Sequence, residues 1–310
     1  WKPKKKTEKG SVIVDEAVLN TINMPEAKVI AEYLMLQKRI AQVSSWLDAL
    51  DSSFDNRVHG SVLTLRTITG RMAHAKPNMA QVPAGYSPYG KECRTCWTVP
   101  KDKVLVGIDA SGIELRMLAH YMRDPKYVEE LLNGDIHTLN QTNAGLETRD
   151  QAKTFIYAFL YGAGSKKIGS IVGSGSKKGK ELIDNFLEQT PSLALLRNRV
   201  TQEAGRSWLR GLDNRKIWVR SPHSALNTKL QGAAAVVMKK ALVLFANGLD
   251  KNVKIVANVH DEWQVECDAS QGNLVGKLGV DAIIDAGKYY KLNCPLDGEY
   301  KLGNNWSETH

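Results

Sequence analysis

The sequence has little of what would cross-link, export or anchor a chain. Its 310 residues include four cysteines, too few to stabilise a chain of this length by disulfides, so we expect a reducing, cytoplasmic compartment. No apolar run approaches the length of a membrane span, and we expect no membrane partner. The first residues, Trp1 to Lys6, lack both a methionine and the apolar core of a signal peptide. We therefore expect the chain to be part of a longer protein.

Two short motifs that would indicate a ligand are incomplete. Cys93 and Cys96 form a CxxC pair, but Cys267 and Cys294 do not supply the second pair that a zinc site needs. The stretch GSGSKKGK at 173–180 looks like a phosphate-binding loop, yet it lacks the first glycine of that motif. Glu181 also replaces its Ser/Thr, so we predict a flexible basic turn here.

Positive charge is what the sequence has in excess. Lys and Arg number 42 against 33 Asp and Glu, which gives a net charge of +9. This balance favours a polyanionic partner, although many basic proteins bind none. At 43% hydrophobic and 24% charged residues, the composition is that of a globular protein, and 310 residues are enough for several subdomains.

The stretch from Val104 to His120 contains the first candidate site. Val104 to Ile108 has the length and composition of a buried strand and ends at Asp109. Residues 110–112 break the run, and helical spacing begins at Ile113. A carboxylate at the end of a buried strand can face a cleft, but it can equally cap the helix that follows.

A second acidic site lies near the other end of the chain. Apolar residues 255–259 run into His260, Asp261 and Glu262 and out again through 263–267, which predicts a hairpin with an acidic turn. Alone, this could be an ordinary polar hairpin tip. Two acidic strand ends in a basic protein indicate oxygen ligands for divalent cations, because Mg²⁺ prefers one or two carboxylates plus substrate phosphates. Two such ions about 3.5–4 Å apart serve nucleotidyl transfer.

Cations and aromatics recur at steps of four on one predicted helix. Arg149, Lys153, Tyr157 and Tyr161 share a helical face, on which the cations could clamp a triphosphate and the aromatics could stack on a base or sugar. The alternative is an amphipathic helix with a basic first turn. That alternative is less attractive, since cations at a helix N-terminus oppose its dipole.

Other segments are predicted more coarsely. We predict helices over 25–43, 181–187, 193–204, 225–246 and 275–286, a basic hairpin or loop over 206–219, and an irregular tail over 294–306. The donor-rich segment 66–83 suits a nucleic-acid backbone or simply an exposed loop. Asn227 and Gln231 are either incidental to a core helix or a working polar face.

Several motifs, in order, resemble those of one family over nearly the whole chain. The main motifs are DASGIELR from Asp109, GDIH at 134–137, RDQAKTFIYAFLYG from Arg149 and VHDEWQV from Val259. TGR at Thr69, PNMAQVP at Pro77 and ALNTKLQGAA at Ala225 add support. Together they resemble the polymerase module of the family A DNA polymerases, the DNA polymerase I group, and most of all the replicative polymerases of short-tailed bacteriophages.

The resemblance implies a fold and a division of the chain. The fold class is α+β, a right-hand polymerase fold with a palm β-sheet, helical fingers and a partial helical thumb. The thumb part would comprise residues 1–60, and the palm 61–132 together with 225–310. The fingers would comprise residues 133–224.

The resemblance also implies an activity and its cofactors. The chain would perform template-directed DNA synthesis in viral replication, in the host cytoplasm, adding dNTPs to a primer 3′-hydroxyl and releasing pyrophosphate. Asp109, Asp261 and the carbonyl of Ala110 would hold two Mg²⁺ ions, for which Mn²⁺ could substitute. Glu262 would lie beside these ions as a further catalytic residue, through a water molecule.

The remaining site residues follow from the same resemblance. His137, Arg149 and Lys153 would bind the triphosphate, and Lys153 could protonate pyrophosphate. Glu114 and Tyr157 would pack under the sugar and exclude a ribose 2′-hydroxyl, while Tyr161 would stack near the templating base. Contacts to primer–template DNA, mostly in the minor groove, would come from Arg71, Gln81, Asn227, Gln231 and His260.

Two features put parts of this interpretation in doubt. Where relatives usually have a DNA-contacting Asn before TGR, this sequence reads Leu63-Thr64-Leu65. No exonuclease-type acidic motif is found, so an exonuclease domain or a processivity factor would be a partner outside this chain. The alternatives are a relative of the single-subunit RNA polymerases and a truncated DNA-binding piece without activity of its own.

Overall fold

The computed structural model describes residues 6–7 and 9–310, which form two compact units. Unit 1 comprises the described part of residues 1–62 together with 74–96, and unit 2 comprises residues 63–73 and 97–310. Residues 1–5 and 8, which belong to the predicted thumb segment, lie outside the described residues. The boundaries predicted for thumb, palm and fingers stay predictions.

Unit 1 is built around one long helix. It contains α1 (Glu16–Leu19) and α2 (Pro25–Asp51), and a 3-10 turn at Met79–Gln81. Two short strands, β1 (Ser61–Leu63) and β2 (Ala73–Ala75), lie where the sequence passes between units, and α3 (Gly90–Thr95) follows. Pro25 starts α2 well because a first helical position needs no N–H donor. The helix predicted over 25–43 is confirmed, with its start at Pro25, and continues further than expected, to Asp51.

Unit 2 combines an antiparallel sheet with a larger helical part. In chain order its elements are β3 (Lys103–Ala110), α4 (Ile113–Met122), α5 (Pro125–Asn133), α6 (Ile136–Ala144), α7 (Arg149–Leu160), α8 (Ser165–Ile171), α9 (Ser176–Gln189), α10 (Pro191–Ala204), β4 (Trp208–Arg210), β5 (Lys216–Trp218), α11 (Ala225–Asn247), β6 (Lys254–Val259), β7 (Glu262–Asp268), α12 (Gly272–Tyr289) and β8 (Gly298–Gly303). The helices predicted over 181–187, 193–204, 225–246 and 275–286 are all confirmed.

The central sheet has the strand order β6-β7-β3-β8, with every neighbouring pair antiparallel. The buried strand predicted from Val104 is confirmed as β3, and the acidic hairpin is confirmed as β6 and β7. The prediction of an irregular tail over 294–306 is wrong, because β8 lies in it and pairs with β3. Its residues alternate between exposed and half-buried and lack an apolar run, so the edge strand has a weak sequence signal.

One face of the sheet packs against helices. Val106, Ile108 and Val265 are fully buried in a core shared with α11 and α12. Because side chains alternate along a strand, Leu105, Gly107 and Asp109 point to the other face. The strand therefore carries Asp109 on the side of the sheet that these helices do not cover.

The long helix α11 belongs to this core. Among the described residues, segment 222–247 is the one candidate membrane span by length and apolar composition, and 56% of that window is buried within the protein. Leu230, Val237, Ala241 and Phe245 lie in the core. Packing in unit 2 therefore accounts for the apolar character of this helix.

The prediction for the basic segment 173–180 is also wrong. Instead of a flexible turn, helix α9 begins at Ser176 and includes Lys177, Lys178 and Lys180. Gly179 lies where α9 crosses α8, and a Cβ atom there would come within 1.8 Å of the Ser165 carbonyl oxygen. The glycine therefore serves the close approach of two helices, a tertiary demand that local composition does not reveal.

We expect Gly179→Ala to destabilise unit 2. The added Cβ would meet backbone on α8, which cannot rotate away as a side chain could, so unfolding should become easier by about 2 kcal/mol or more. Thermal and urea unfolding measure this. Gly164→Ala is the control, because nothing lies within 4 Å of a Cβ at that position. Equal stability of the two variants would contradict the packing role.

Candidate active site

The structure brings the two predicted acidic sites together. Asp109, near the end of β3, is paired directly with Glu262 at the start of β7. The backbone N–H of Ala110 donates to the carbonyl oxygen of Asp261 at 3.1 Å. The strand end and the hairpin tip are therefore neighbours, although the sequence separates them widely.

The hairpin turn that presents Asp261 has an unusual backbone. Val259 pairs with Glu262, which leaves His260 and Asp261 as a two-residue turn. His260 has a φ of 61°, in the left-handed region that glycine usually occupies in such turns. A non-glycine residue in this conformation costs of the order of 1 kcal/mol or more and is typical of functional sites.

Burial and like charge act on the two aspartates. The pKa of Asp109 is raised to about 7, first by burial and then by the negative charges of Asp261 and Glu262. Burial likewise raises the pKa of Asp261, and the Glu114 carboxylate adds to the shift. Two half-buried carboxylates that disfavour each other's charge form a place where a divalent cation would be stabilising.

The donor set fits Mg²⁺ better than a closed metal cage. Within residues 6–7 and 9–310, no group of three or more His, Cys, Asp and Glu side chains is arranged to enclose a metal ion. Mg²⁺ commonly binds through one or two carboxylates and completes its shell with water and substrate phosphates. Asp109 and Asp261, with the carbonyl of Ala110 beside them, are suited to that mode.

Glu262 lies beside the aspartates but is hydrogen-bonded to other groups. It is buried and accepts a hydrogen bond from Gln264 Nε2 at 2.6 Å and another from the Trp306 indole. His310 Nδ1 lies 3.0 Å from its second oxygen. Burial acts to raise the pKa of Glu262, but these bonds outweigh it and hold the pKa below its usual range.

Helix α7 carries the predicted nucleotide-binding residues. A capping box at Thr148 and Gln151 starts the helix one residue before Arg149. The Arg149 guanidinium donates to Asp135 through Nε at 2.7 Å and Nη2 at 3.2 Å. Lys153 is exposed four residues further on. The prediction that these residues, spaced four apart, lie on one helix is confirmed, and Tyr161 is the C-terminal cap of that helix.

Asp135 is a residue whose role the sequence did not reveal. Besides holding Arg149, it caps α6 by accepting from the backbone N–H of His137 at 3.1 Å. The Arg149 bond, together with the Thr138 hydroxyl, holds the pKa of Asp135 far below its usual range. The GDIH motif thus ties α6 to α7 and places His137 close to Tyr157, with 6.5 Å between ring centroids.

Glu114 lies at the centre of a second polar cluster. Its Oε1 accepts from Arg71 Nη2 at 3.0 Å and from the Tyr161 hydroxyl at 2.9 Å. Burial, and then the Glu114 charge, raise the pKa of Tyr161 to about 12, so its phenol keeps the proton that it donates. Of Tyr157 and Tyr161, it is Tyr161 that has a hydrogen bond to Glu114. Tyr157 is half-buried, and burial followed by the Glu114 charge raises its pKa.

The predicted DNA-binding residues lie in three places. Arg71, His260 and Asp261 line a small cavity of about 20 Å³ in unit 2, large enough for one water molecule. Asn227 and Gln231 are half-exposed on α11, although Leu226, Thr228 and Leu230 around them are buried, so both amides face outward. Gln81 belongs to unit 1 and ends its 3-10 turn.

Glu299 was also missed by sequence reasoning. It lies on β8 and is paired directly with Asp109, so that the two side chains share a face of the sheet. Glu299 contributes to the raised pKa of Asp109, after the larger effects of burial, Asp261 and Glu262. Because β8 had no recognisable strand pattern, nothing in the sequence placed this residue near the site.

Comparison with known proteins identifies the family. The model of DNA polymerase family A matches residues 1–308. The DNA-directed DNA polymerases of Enterobacteria phage T3 and Escherichia phage T7 are each 43% identical to this chain and cover 100% of it. The chain belongs to DNA polymerase family A. It spans about half the length of these curated relatives, 50% in each case.

A solved structure shows the same fold. The polymerase domain of Pol1 from M. smegmatis, in a complex with DNA primer-template and dNTP, covers 99% of this chain with a TM-score of 0.86 and 20% identity. This chain covers 58% of that one. The likeness confirms the predicted mixed α+β polymerase fold. Polymerases of this family depend on metal ions in general.

We expect the stability of the metal-free protein to fall as pH rises from about 4 to about 7. Asp109 has a raised pKa when folded, so in this window the folded state binds more protons than the unfolded state. The loss should be on the order of 4 kcal/mol at most, from a shift of about three pKa units. Urea unfolding in EDTA at pH 5 and pH 8 measures it.

Asp109→Asn provides the control for this pH dependence. The amide cannot ionise, so the variant should be more stable than the parent at pH 8 and show a flatter profile. Added Mg²⁺ should restore stability at pH 8 to the parent and not to the variant. Parallel pH profiles for the two proteins would show that Asp109 is not the group responsible.

Proposed function

We propose that this chain performs template-directed DNA synthesis, adding dNTPs to a primer 3′-hydroxyl with release of pyrophosphate. The observation that carries the proposal is the junction of Asp109 and Asp261, held by the Ala110–Asp261 backbone bond. Two half-buried carboxylates from distant parts of the chain meet there, near the helix that bears Arg149 and Lys153. The DNA-directed DNA polymerases of phages T3 and T7 support it as relatives of the same family.

Two Mg²⁺ ions, for which Mn²⁺ could substitute, are the proposed cofactors. Asp109, Asp261 and the Ala110 carbonyl would hold them. When bound, such ions supply Lewis-acid chemistry, lowering the pKa of the primer hydroxyl and neutralising charge on the triphosphate. The chain's own part is to keep both carboxylates fixed at adjoining strand ends, so that no reorganisation is needed during reaction.

The face of α7 would bind the incoming nucleotide. Arg149 presents a planar guanidinium suited to phosphate oxygens, already oriented by Asp135. Lys153 adds a flexible ammonium that can donate a proton to the departing pyrophosphate. His137, beside Tyr157, completes the set of phosphate ligands.

Selection of a deoxyribose would come from Glu114 and Tyr157. The Glu114 carboxylate is fixed by bonds from Arg71 and Tyr161, so a ribose 2′-hydroxyl would meet a group that cannot move aside. The bond to Glu114 also holds Tyr161 at the end of α7, where it would stack near the templating base. This arrangement supports DNA over RNA as the product.

Primer–template DNA is the proposed macromolecular partner. Arg71 and His260 lie next to Asp261, and Asn227 and Gln231 face outward from α11. These donors suit the minor groove, where acceptors are alike for all base pairs and shape can be checked without reading sequence. Gln81, in unit 1, is a further DNA contact that the family resemblance implies. The polymerase domain from M. smegmatis, which has the same fold, was solved with DNA primer-template and dNTP.

The setting of this activity is also part of the proposal. The thumb, fingers and palm boundaries at residues 60, 132 and 224 are those expected from the family. Cys93, Cys96, Cys267 and Cys294 are free thiols, which supports a reducing cytoplasm as the compartment. An exonuclease domain or a processivity factor would be supplied from outside this chain.

Primer extension tests the activity. We expect the chain to extend a DNA primer on a short template with Mg²⁺ and dNTPs. Asp109→Ala and Asp261→Ala should each lose about a thousandfold or more, because several kcal/mol of charge stabilisation disappear. Extension by either variant at the parent's rate would contradict the assigned metal ligands.

Other outcomes of the same assay separate the alternatives. Incorporation of NTPs in preference to dNTPs would indicate a relative of the single-subunit RNA polymerases. DNA binding without extension would indicate a truncated piece that needs further chain or a partner. Binding should weaken steeply with salt in any case, since phosphate contacts dominate nucleic-acid affinity.

Tyr157 predicts how the enzyme treats dideoxynucleotides. Its phenol hydroxyl can take the hydrogen-bonding place of a missing 3′-hydroxyl, so we expect dideoxynucleotides to be used almost as well as dNTPs. Tyr157→Phe should discriminate against them by about tenfold or more, the cost of one unmade hydrogen bond in a dry site. Competition assays with mixed nucleotides measure the ratio. Equal discrimination by both proteins would contradict this role of the Tyr157 hydroxyl.

A further inference from the structure

The C-terminal segment lies on the same sheet face as Asp109. Directly opposed residues of antiparallel strands share a face, so Asp109 lies beside Glu262, and Gly107 lies opposite Gln264. Within residues 304–310, which follow β8, Trp306, Thr309 and His310 contact residues of this face. The segment is thus a neighbour of Glu262, the residue paired with Asp109.

Polar bonds from this segment converge on Glu262. The Trp306 indole N–H and Gln264 Nε2 both donate to Oε1 of Glu262, with 2.6 Å for the latter. A carboxylate oxygen has two lone pairs, so Oε1 is fully used. Oε2 has His310 Nδ1 at 3.0 Å and retains one lone pair. The carboxylate therefore has a fixed orientation and a single position left for water.

A second layer of contacts holds the segment in place. The Thr309 hydroxyl donates to Oε1 of Gln264 at 2.7 Å, which fixes the amide that in turn contacts Glu262. The Thr309 carbonyl oxygen lies over Gly107, where a Cβ atom would approach it to 2.3 Å. The backbone N–H of Trp306 donates to the Trp97 carbonyl at 3.0 Å. Only glycine at position 107 leaves room for the Thr309 backbone over β3.

We propose that Trp306, with Gln264 and Thr309, is a positioning residue that orients Glu262 to support cation binding by Asp109 and Asp261. Glu262 then acts through a water molecule on its free lone pair and through its charge, not as a direct ligand. Groups that hydrogen-bond to metal ligands commonly change metal affinity or activity by about tenfold to a hundredfold, and because Trp306 acts one step further out, we expect an effect at the lower end of that range. The inference deepens the proposed function and rests on the same site.

The alternative is that Trp306 only packs the tail against the sheet. A double-mutant cycle separates the two roles, because a residue acting through Glu262 has no effect once the Glu262 charge is removed. Trp306→Phe keeps most of the ring and deletes the N–H donor. Glu262→Gln keeps the shape of the side chain and deletes its charge.

The first readout is Mn²⁺ binding to the protein alone, followed by electron paramagnetic resonance of the free ion. We expect Trp306→Phe to weaken Mn²⁺ binding about tenfold in the parent and to change nothing in the Glu262→Gln background. Thr309→Val, which removes one bond of the second layer, should act in the same direction with a smaller effect. Trp218→Phe, at an exposed position on β5, is the matched control and should have no effect.

The second readout is the Mg²⁺ concentration that gives half-maximal primer extension. It should rise about tenfold in Trp306→Phe while the KM for primer–template stays unchanged. Thermal unfolding of each variant, recorded with EDTA, reports on structure alone. If Trp306→Phe does not fold, Thr309→Val carries the same cycle with Glu262→Gln.

Three results would overturn the inference. The first is that Trp306→Phe weakens Mn²⁺ binding equally with and without Glu262→Gln. The second is that Trp306→Phe lowers the unfolding temperature but leaves Mn²⁺ affinity unchanged. The third is that the parent does not bind Mn²⁺. Failure of the proposed function is a separate observation, since Mn²⁺ binding requires no DNA or nucleotide. If the effects of Trp306→Phe and Glu262→Gln on Mn²⁺ binding are coupled but the protein does not extend primers, the positioning role stands and the polymerase activity is rejected.

Discussion

Buried like charges are costly in a folded protein, and unit 2 concentrates them where β3 ends beside the tip of the β6–β7 hairpin. Asp109 and Asp261 are both partly withdrawn from water, and each raises the energy of charging the other. Such an arrangement persists because the rest of the unit over-determines it. The sheet ladder fixes one aspartate, a strained two-residue turn fixes the other, and a backbone bond from Ala110 joins them.

Around this pair, other carboxylates are held by hydrogen-bond donors that contact them directly. Arg71 and the Tyr161 hydroxyl hold Glu114, Arg149 holds Asp135, and Trp306 with Gln264 holds Glu262. Glu114, Asp135 and Glu262 therefore each have their own donors. For the two aspartates, burial and like charge outweigh the opposing effects of His310 and Arg71, and a cation would supply the missing positive charge.

The sequence predicted β3, the acidic hairpin and the four-step face of α7, because each carries a local pattern of apolar period and a polar break. It did not predict β8, whose residues alternate too weakly to be recognised, and so it missed that Glu299 is paired with Asp109. Gly179 was taken for part of a flexible turn because its purpose, the close crossing of α8 and α9, is set by residues distant in sequence. The partners of Glu262 and Glu114 were missed for the same reason, since hydrogen bonds across a fold leave no trace in local composition.

The strand order β6-β7-β3-β8 has a consequence for how the protein folds. Strand β3 is made early in the chain, yet both of its neighbours, β7 and β8, come after helices α4 to α11. Until they arrive, β3 has two open edges and can pair with nothing of its own sheet. Long-range pairing of this kind is slow and exposes strand edges to other chains. The helices of unit 2 can form beforehand from local contacts, so the candidate active site is expected to be the last part of the unit to assemble.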